Sequence, residues 1–201
     1  VYLKGGVTST DTSTYPDATQ NMAYTGTNFS TAGQMSAESG VAYASGHLWV
    51  LGKYNNTVYK YTTAGSYTGT SFSVAAQDIY PMGLTWDGTH FWVVGEQYKN
   101  VNKYNASGVY QSVSFSVAAQ ESNPMGIIWD GTHFWVVGQS SDRMYKYNAS
   151  GVYQNVSFSV AAQDTNPQGI TWDGAHLWVL GSSNDSVYKY QNQIGIVNQA
   201  S

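Results

Sequence analysis

Apolar and polar positions along the chain fall into short runs separated by turn residues. Gly126-Ile127-Ile128-Trp129 is almost wholly apolar, and Asp130-Gly131-Thr132 then interrupts it. Such an Asp-Gly step is a tight turn, because glycine takes positive φ at no steric cost. His133 to Gly138 is a second apolar run, and Met144-Tyr145-Lys146-Tyr147 is a third. Between Val156 and Val160 apolar and polar residues alternate, which predicts Val156, Phe158 and Val160 on one face of a half-buried strand. Ser140–Arg143 and Asn148–Gly151 are polar breaks, and Ala161–Gln168 leads into the next unit. The pattern predicts four antiparallel strands per unit, the fourth outermost.

The unit recurs every 43 residues without phase error. Trp49, Trp92, Trp135 and Trp178 keep this step, as do His47, His90, His133 and His176. So do Phe29, Phe72, Phe115 and Phe158, and likewise Gln34, Gln77, Gln120 and Gln163. A period near 40 built from short strands is the signature of a β-propeller with one blade per repeat. First-to-third strand sets begin at Gly40, Gly83, Gly126 and Gly169, but only the first three are followed by a standard fourth strand. A spare copy of that strand lies at the other end, where Ala23–Ser30 matches Ser66–Ser73. The expected fold is therefore an all-β, four-bladed β-propeller over residues 24–190, closed by the N-terminal strand. Residues 24–32 would pair with the blade built from residues 169–190. Pairing within the chain removes exposed edges at little entropic cost. The alternative is that this strand completes a blade in a neighbouring chain. Residues 1–23 and 191–201 are expected to be extensions outside the repeat, either frayed or docked on an assembly.

Composition narrows the partners. Eight Lys plus Arg and a net charge of -4 do not suit a nucleic-acid backbone, which calls for a basic patch. No run approaches the roughly 20 apolar residues of a membrane-spanning helix, so no membrane insertion is expected. With no Cys, disulfides and thiolate metal sites are excluded. A polar, Tyr-rich surface of low charge suits a virion or an extracellular, cell-surface setting.

The run Asn166-Pro167-Gln168-Gly169-Ile170-Thr171-Trp172-Asp173-Gly174, continued by Leu177-Trp178-Val179, resembles the broad NHL, YVTN and SMP-30-like propeller group. Ser157 to Asp164, followed by Pro167 and Gly169, resembles repeats in virion-associated or tail-fibre-like proteins of marine bacteriophages. Val187-Tyr188-Lys189-Tyr190 is similar to their third strands. This resemblance covers about residues 24–190 and implies the propeller architecture and a place on a particle. Some members of the wider group are lactonases or lyases, which keeps an enzyme of that kind as a minor alternative.

In a propeller the loops after the second and fourth strands share one face, and loops that vary over a constant scaffold are binding candidates. Here they carry Tyr54, Asn55, Gln97, Tyr98, Ser140 and Asn184. Tyr, Asn, Gln and Ser are adaptable contact residues, and rings plus amides suit sugars. The crossover loops carry Asp78, Glu121 and Asp164, weak candidates for an axial ring of oxygen ligands. The competing expectation is that the neighbouring Gln side chains satisfy loop backbone while the carboxylates face water. The four His recur one per blade beside a turn, so a structural role is expected rather than one shared metal site. No Ser-His-Asp or paired-carboxylate spacing stands out, so no catalytic residue and no cofactor are expected. The sequence thus points to a non-enzymatic structural or adhesive module that binds a surface glycan or protein, alongside other subunits of an assembly. A purely structural subunit of a phage particle or extracellular filament is the alternative.

Overall fold

Strands form where β-branched and aromatic residues run between turn signals. The computed structural model describes residues 28–191, which hold fifteen strands. The first blade comprises β1 (Glu38–Ala44), β2 (His47–Gly52), β3 (Thr57–Thr62) and β4 (Tyr67–Ser73). The second comprises β5 (Pro81–Trp86), β6 (His90–Gly95), β7 (Asn100–Asn105) and β8 (Tyr110–Ser116). The third comprises β9 (Pro124–Trp129), β10 (His133–Gly138), β11 (Arg143–Asn148) and β12 (Tyr153–Ser159). The fourth comprises β13 (Pro167–Trp172), β14 (His176–Gly181) and β15 (Ser186–Gln191). Each blade is one antiparallel sheet in chain order, giving an all-β, four-bladed β-propeller. The expected closing strand begins on residues 24–27, outside the described ones. Residues 28–31 belong to no strand, yet Phe29 packs on Tyr61 at 5.3 Å, as Phe72 packs on Tyr104 at 5.6 Å.

The fourth strands depart from simple alternation. β12 begins at Tyr153, and Val156 is exposed rather than sharing a buried face with Phe158. The cause is a bulge: Asn155 has φ +55, and the pairing with β11 shifts between Tyr145 and Tyr147. One extra residue re-aims the side chains beside it. β8 repeats the feature at Ser112, φ +56, leaving Val113 exposed.

Blades pack face to face through aromatic residues. Trp49 meets Phe91 at 4.8 Å, and Trp92 meets Phe134 at 4.7 Å. Tilted pairs of this kind add about 0.5–1.5 kcal/mol beyond their buried area. The first strands converge near the axis, where side chains do not fit. A Cβ on Gly40 would lie 2.8 Å from the Leu84 nitrogen, and one on Gly83 2.9 Å from the Ile127 nitrogen.

In blades two to four the second-strand Trp is fixed by the preceding turn, whereas in blade one Ala44 stands in place of the Asp and Trp49 lacks this bond. The Asp87 carboxylate accepts from the Trp92 indole (2.6 Å) and from the Thr89 and His90 backbone N–H groups (2.8 and 2.7 Å). Asp130 holds Trp135 and Asp173 holds Trp178 in the same way, at 2.8 and 2.7 Å. A Lys lies over the other side of each ring, Lys103 on Trp92 at 5.2 Å for instance, so cationic side chains cap the seams. At Asp87 and Asp130 burial pushes the pKa up, but the indole and backbone donors outweigh it and hold both below the ordinary value. At Asp173 the Trp178 indole leads the same downward shift.

A carboxyl whose pKa is lowered by folding stabilises the fold above its unfolded value, near ~3.9, and this contribution is lost as pH falls through the folded value. Urea midpoints should therefore fall steeply below about pH 4. In the Asp87→Asn, Asp130→Asn double variant the midpoint at neutral pH should be lower and the acid slope shallower. Equal slopes would show that these carboxylates do not carry the acid response.

Candidate functional site

The start of each first strand pairs with the end of the second, Pro81 opposite Gly95 for example, so crossover loops and post-β2-type loops meet on one face. Backbone bonds join them: Lys53 N–H to Ala37, Glu96 to Tyr80, Gln139 to Asn123 and Ser182 to Asn166, at 2.9–3.0 Å. The Asp-Gly turns lie at the opposite end of the strands.

This rim is built on three buried carboxylates. Asp78 accepts from the Tyr80 and Tyr98 backbone N–H groups at 2.7 and 3.1 Å. Glu121 accepts from those of Asn123 and Ser140 at 2.7 and 3.2 Å, and from the Ser141 hydroxyl. Asp164 accepts from Asn166, Ser183 and Asn184 at 2.7, 3.3 and 3.1 Å. All three are buried, not turned to water, and each is spent on the two loops of its own blade. Burial pushes the Asp164 carboxyl up, but the loop N–H groups hold it below its ordinary value. Among the described residues no three His, Cys, Asp or Glu gather where one ion could be held. The Gln side chains accept from tyrosine hydroxyls instead of bonding loop backbone: Gln34 from Tyr61, Gln77 from Tyr104, Gln120 from Tyr147 and Gln163 from Tyr190, at 3.1–3.3 Å.

The carboxylates explain the invariant glycines that end the second strands. A Cβ on Gly95, Gly138 or Gly181 would overlap Asp78, Glu121 or Asp164. The first blade has Met35 at the carboxylate position. There Asn55 substitutes, donating to the Gln34 carbonyl (2.9 Å) and the Tyr59 hydroxyl (2.8 Å). Asn184 makes the equivalent bonds to Gln163 and Tyr188 at 3.1 and 3.4 Å. Asn55 and Asn184 are thus exposed in part but committed to anchoring their loops.

Tyr54, Gln97, Tyr98 and Ser140 are exposed on the same face. Two residues that loop composition did not single out join them: Ile79 and Tyr80, exposed on the crossover into the second blade. Their signal was a break in the repeat, since the equivalents are Ser122-Asn123 and Thr165-Asn166. With its amide oriented to satisfy both groups, Asn56 donates to the Ile79 and Lys53 carbonyls at 2.8 and 2.9 Å. This ties the Tyr54 loop to the Ile79 crossover. The Tyr98 backbone is tied to the same crossover through Asp78. The rim therefore has an aromatic sector on blades one and two and a Ser/Asn sector on blades three and four.

The four His stay apart. His90 and His133 bond the Thr89 and Thr132 hydroxyls through Nδ1 at 2.7 and 2.8 Å. His47 lies 2.9 Å from the Ser45 carbonyl and His176 3.2 Å from Asp173. Two concavities stand out among the described residues. An axial one of about 290 Å³ is walled by glycine backbone, Val41, Ile170 and Leu180, with Glu38 and Gln168 among its polar groups. A cleft of about 680 Å³ lies between blades three and four, lined by Trp135, Phe158, Trp172, Lys146, Lys189 and Tyr190 among others. In the third blade Tyr153 covers Tyr145 and Tyr147 at 6.1 and 5.7 Å, whereas no described strand covers β15.

No family model matches the chain, and no curated protein matches it. Solved structures do. Virginiamycin B lyase from Staphylococcus aureus is 18% identical with a TM-score of 0.57, over 77% of this chain and 52% of the lyase chain. Glutaminyl cyclase from Myxococcus xanthus is 10% identical with a TM-score of 0.59, over 77% and 65%. A nidogen/laminin complex matches at 13% identity and a TM-score of 0.53, over 77% and 75%. The chain spans about half the length of the lyases it matches. At these identities the likeness is one of fold alone, the β-propeller.

The loop anchor is testable apart from any ligand. Gly138→Ala should destabilise the fold by about 1–3 kcal/mol through overpacking. Glu121→Ala should cost about as much by stranding buried N–H groups. Because Glu121 is what the new methyl would strike, the double variant should cost clearly less than the sum, measured by urea unfolding. Additive losses would show that the two positions do not act on each other.

Proposed function

We propose that this chain is a non-enzymatic adhesive propeller module whose aromatic rim sector binds a surface glycan or a protein. The observation that carries this reading is the grouping of Tyr54, Ile79, Tyr80 and Tyr98 on two adjacent blades. Four exposed large side chains stand there on loops held rigid by buried Asp78 and by Asn55. Exposed apolar groups gathered on one sector mark interaction sites, whereas single ones do not. Tyrosines on fixed loops offer stacking area and a hydroxyl at small entropic cost. Gln97, exposed beside them, is a polar partner for hydroxyls or amides.

The fold itself is compatible with catalysis and with association, since lyase, cyclase and nidogen/laminin structures all share it. An enzymatic role would need convergent groups, and the described His residues each remain with their own turn. A place on a virion or cell surface, and association with other subunits, accord with the low charge and Tyr-rich rim and belong to the same proposal.

A glycan array probed with the wild type and with the Tyr54→Ala, Tyr98→Ala variant tests it. The expected result is binding that drops at least about tenfold in the variant, since buried aromatic anchors each contribute more than ~1 kcal/mol. Ser140→Ala, on the polar sector, should change little. Unchanged binding in the tyrosine variant would place the site elsewhere. Absence of binding to every glycan would favour the purely structural alternative.

A further inference from the structure

The four blades bury three seams, and the two outer faces they leave are the two halves of a fourth. β1 packs on β5, β5 on β9 and β9 on β13, and no comparable step from β13 to β1 occurs among the described residues. The glycine series shows the same stop. A Cβ on Gly40, Gly83 or Gly126 would crowd the next blade, but one on Gly169 would meet only Leu180 of its own blade, at 3.7 Å.

Side chains at the two ends are exposed where their repeat equivalents are buried. Val41 is 62% exposed, while Leu84 and Ile127 are 4% and 3%. Leu180 is 47% exposed, while Leu51, Val94 and Val137 are fully buried. Their directions are opposite. Residues such as Val94 and Thr85 face the following blade, and the Thr85 hydroxyl accepts from the Trp129 backbone N–H at 3.2 Å. Thr171 is the fourth-blade equivalent of Thr85 and is exposed. Its repeat partner would be the backbone N–H of Tyr43, itself exposed on β1. Likewise Trp178 would meet Leu48, as Trp49 meets Phe91.

We propose that the exposed face of the fourth blade docks on the exposed face of the first blade of a second copy of this chain, and the reverse, so that two copies close one ring. The two faces differ and each is complementary to the other by the repeat. The contact is therefore heterologous, and it closes when rotation returns to the start. What β13 and β14 lack is a face bearing Val41, Tyr43 and Leu48, and a second copy of this chain presents one. The N-terminal strand expected to close the ring would then do so from the partner. Phe29 in such a partner, already packed on its own Tyr61, would cover exposed Val187 as Phe158 covers Met144.

Light-scattering mass of the full chain should be twice 21.9 kDa. Leu180→Asp and Val41→Asp, both at exposed positions, should each give folded monomers by circular dichroism. Mixing the two variants should restore dimers, because one of the two seams is then wild type on both sides. The chain has no Cys, so Val41→Cys with Leu180→Cys can be joined by a short bis-maleimide. Cross-linking between copies, seen as a doubled band on a denaturing gel, is the expected result. A monomeric wild type, cross-linking confined within one chain, dimers that survive Leu180→Asp, or open polymers growing with concentration would each overturn the proposal.

Discussion

Everything in this fold is referred to the packing of one blade's second-strand tryptophan against the next blade. Trp49 on Phe91 and Trp92 on Phe134 set the separation and rotation between sheets. In blades two to four the Asp-Gly turn holds this large flat side chain through its indole N–H. The turn, the tryptophan and the seam are thus one device. It explains why Asp, Gly and Trp recur together at fixed offsets. It also explains why the His beside the turn recurs without forming a shared centre: His90 and His133 lock the turn residue, not one another.

The rim depends on a second device of the same kind, a carboxylate buried under its own loops. Asp78, Glu121 and Asp164 replace water with two or three backbone donors each, which makes a charged group tolerable in a buried place. Once the loop backbone is fixed in this way, its outward side chains are released from structural duty. Blade two can carry Gln97-Tyr98 where blade three carries Ser140-Ser141 on nearly the same frame. Binding residues can therefore change while folding residues do not.

Much of this was legible in the sequence. The 43-residue step, the strand sets and the antiparallel order followed from hydrophobic pattern and turn chemistry. The bulge at Asn155 was not, because a residue in the left-handed region leaves no mark in polarity. The carboxylates were visible, but their burial was not. Their partners are backbone N–H groups up to 20 residues away, and no side-chain pattern encodes those. The glycines ending the second strands were the readable trace, since a glycine at each such position implies something against its face. Ile79 and Tyr80 are marked only by a departure from the repeat, which loop composition does not reveal.

Departures from the repeat also concentrate where the chain's two outer faces lie. Tyr43 stands where the other blades have Trp, and Leu48 where the middle blades have Phe. Gln168 stands where the middle blades have the buried Met82 and Met125. Each change trades apolar volume for polarity or looseness. Inner seams have no reason to be soft, because they form once within one chain. A face that stands exposed until it meets a partner does, since a large rigid aromatic patch in water invites association with anything apolar. Graded substitution at the outer faces, with intact packing inside, is what physical chemistry asks of a repeat whose ends are surfaces.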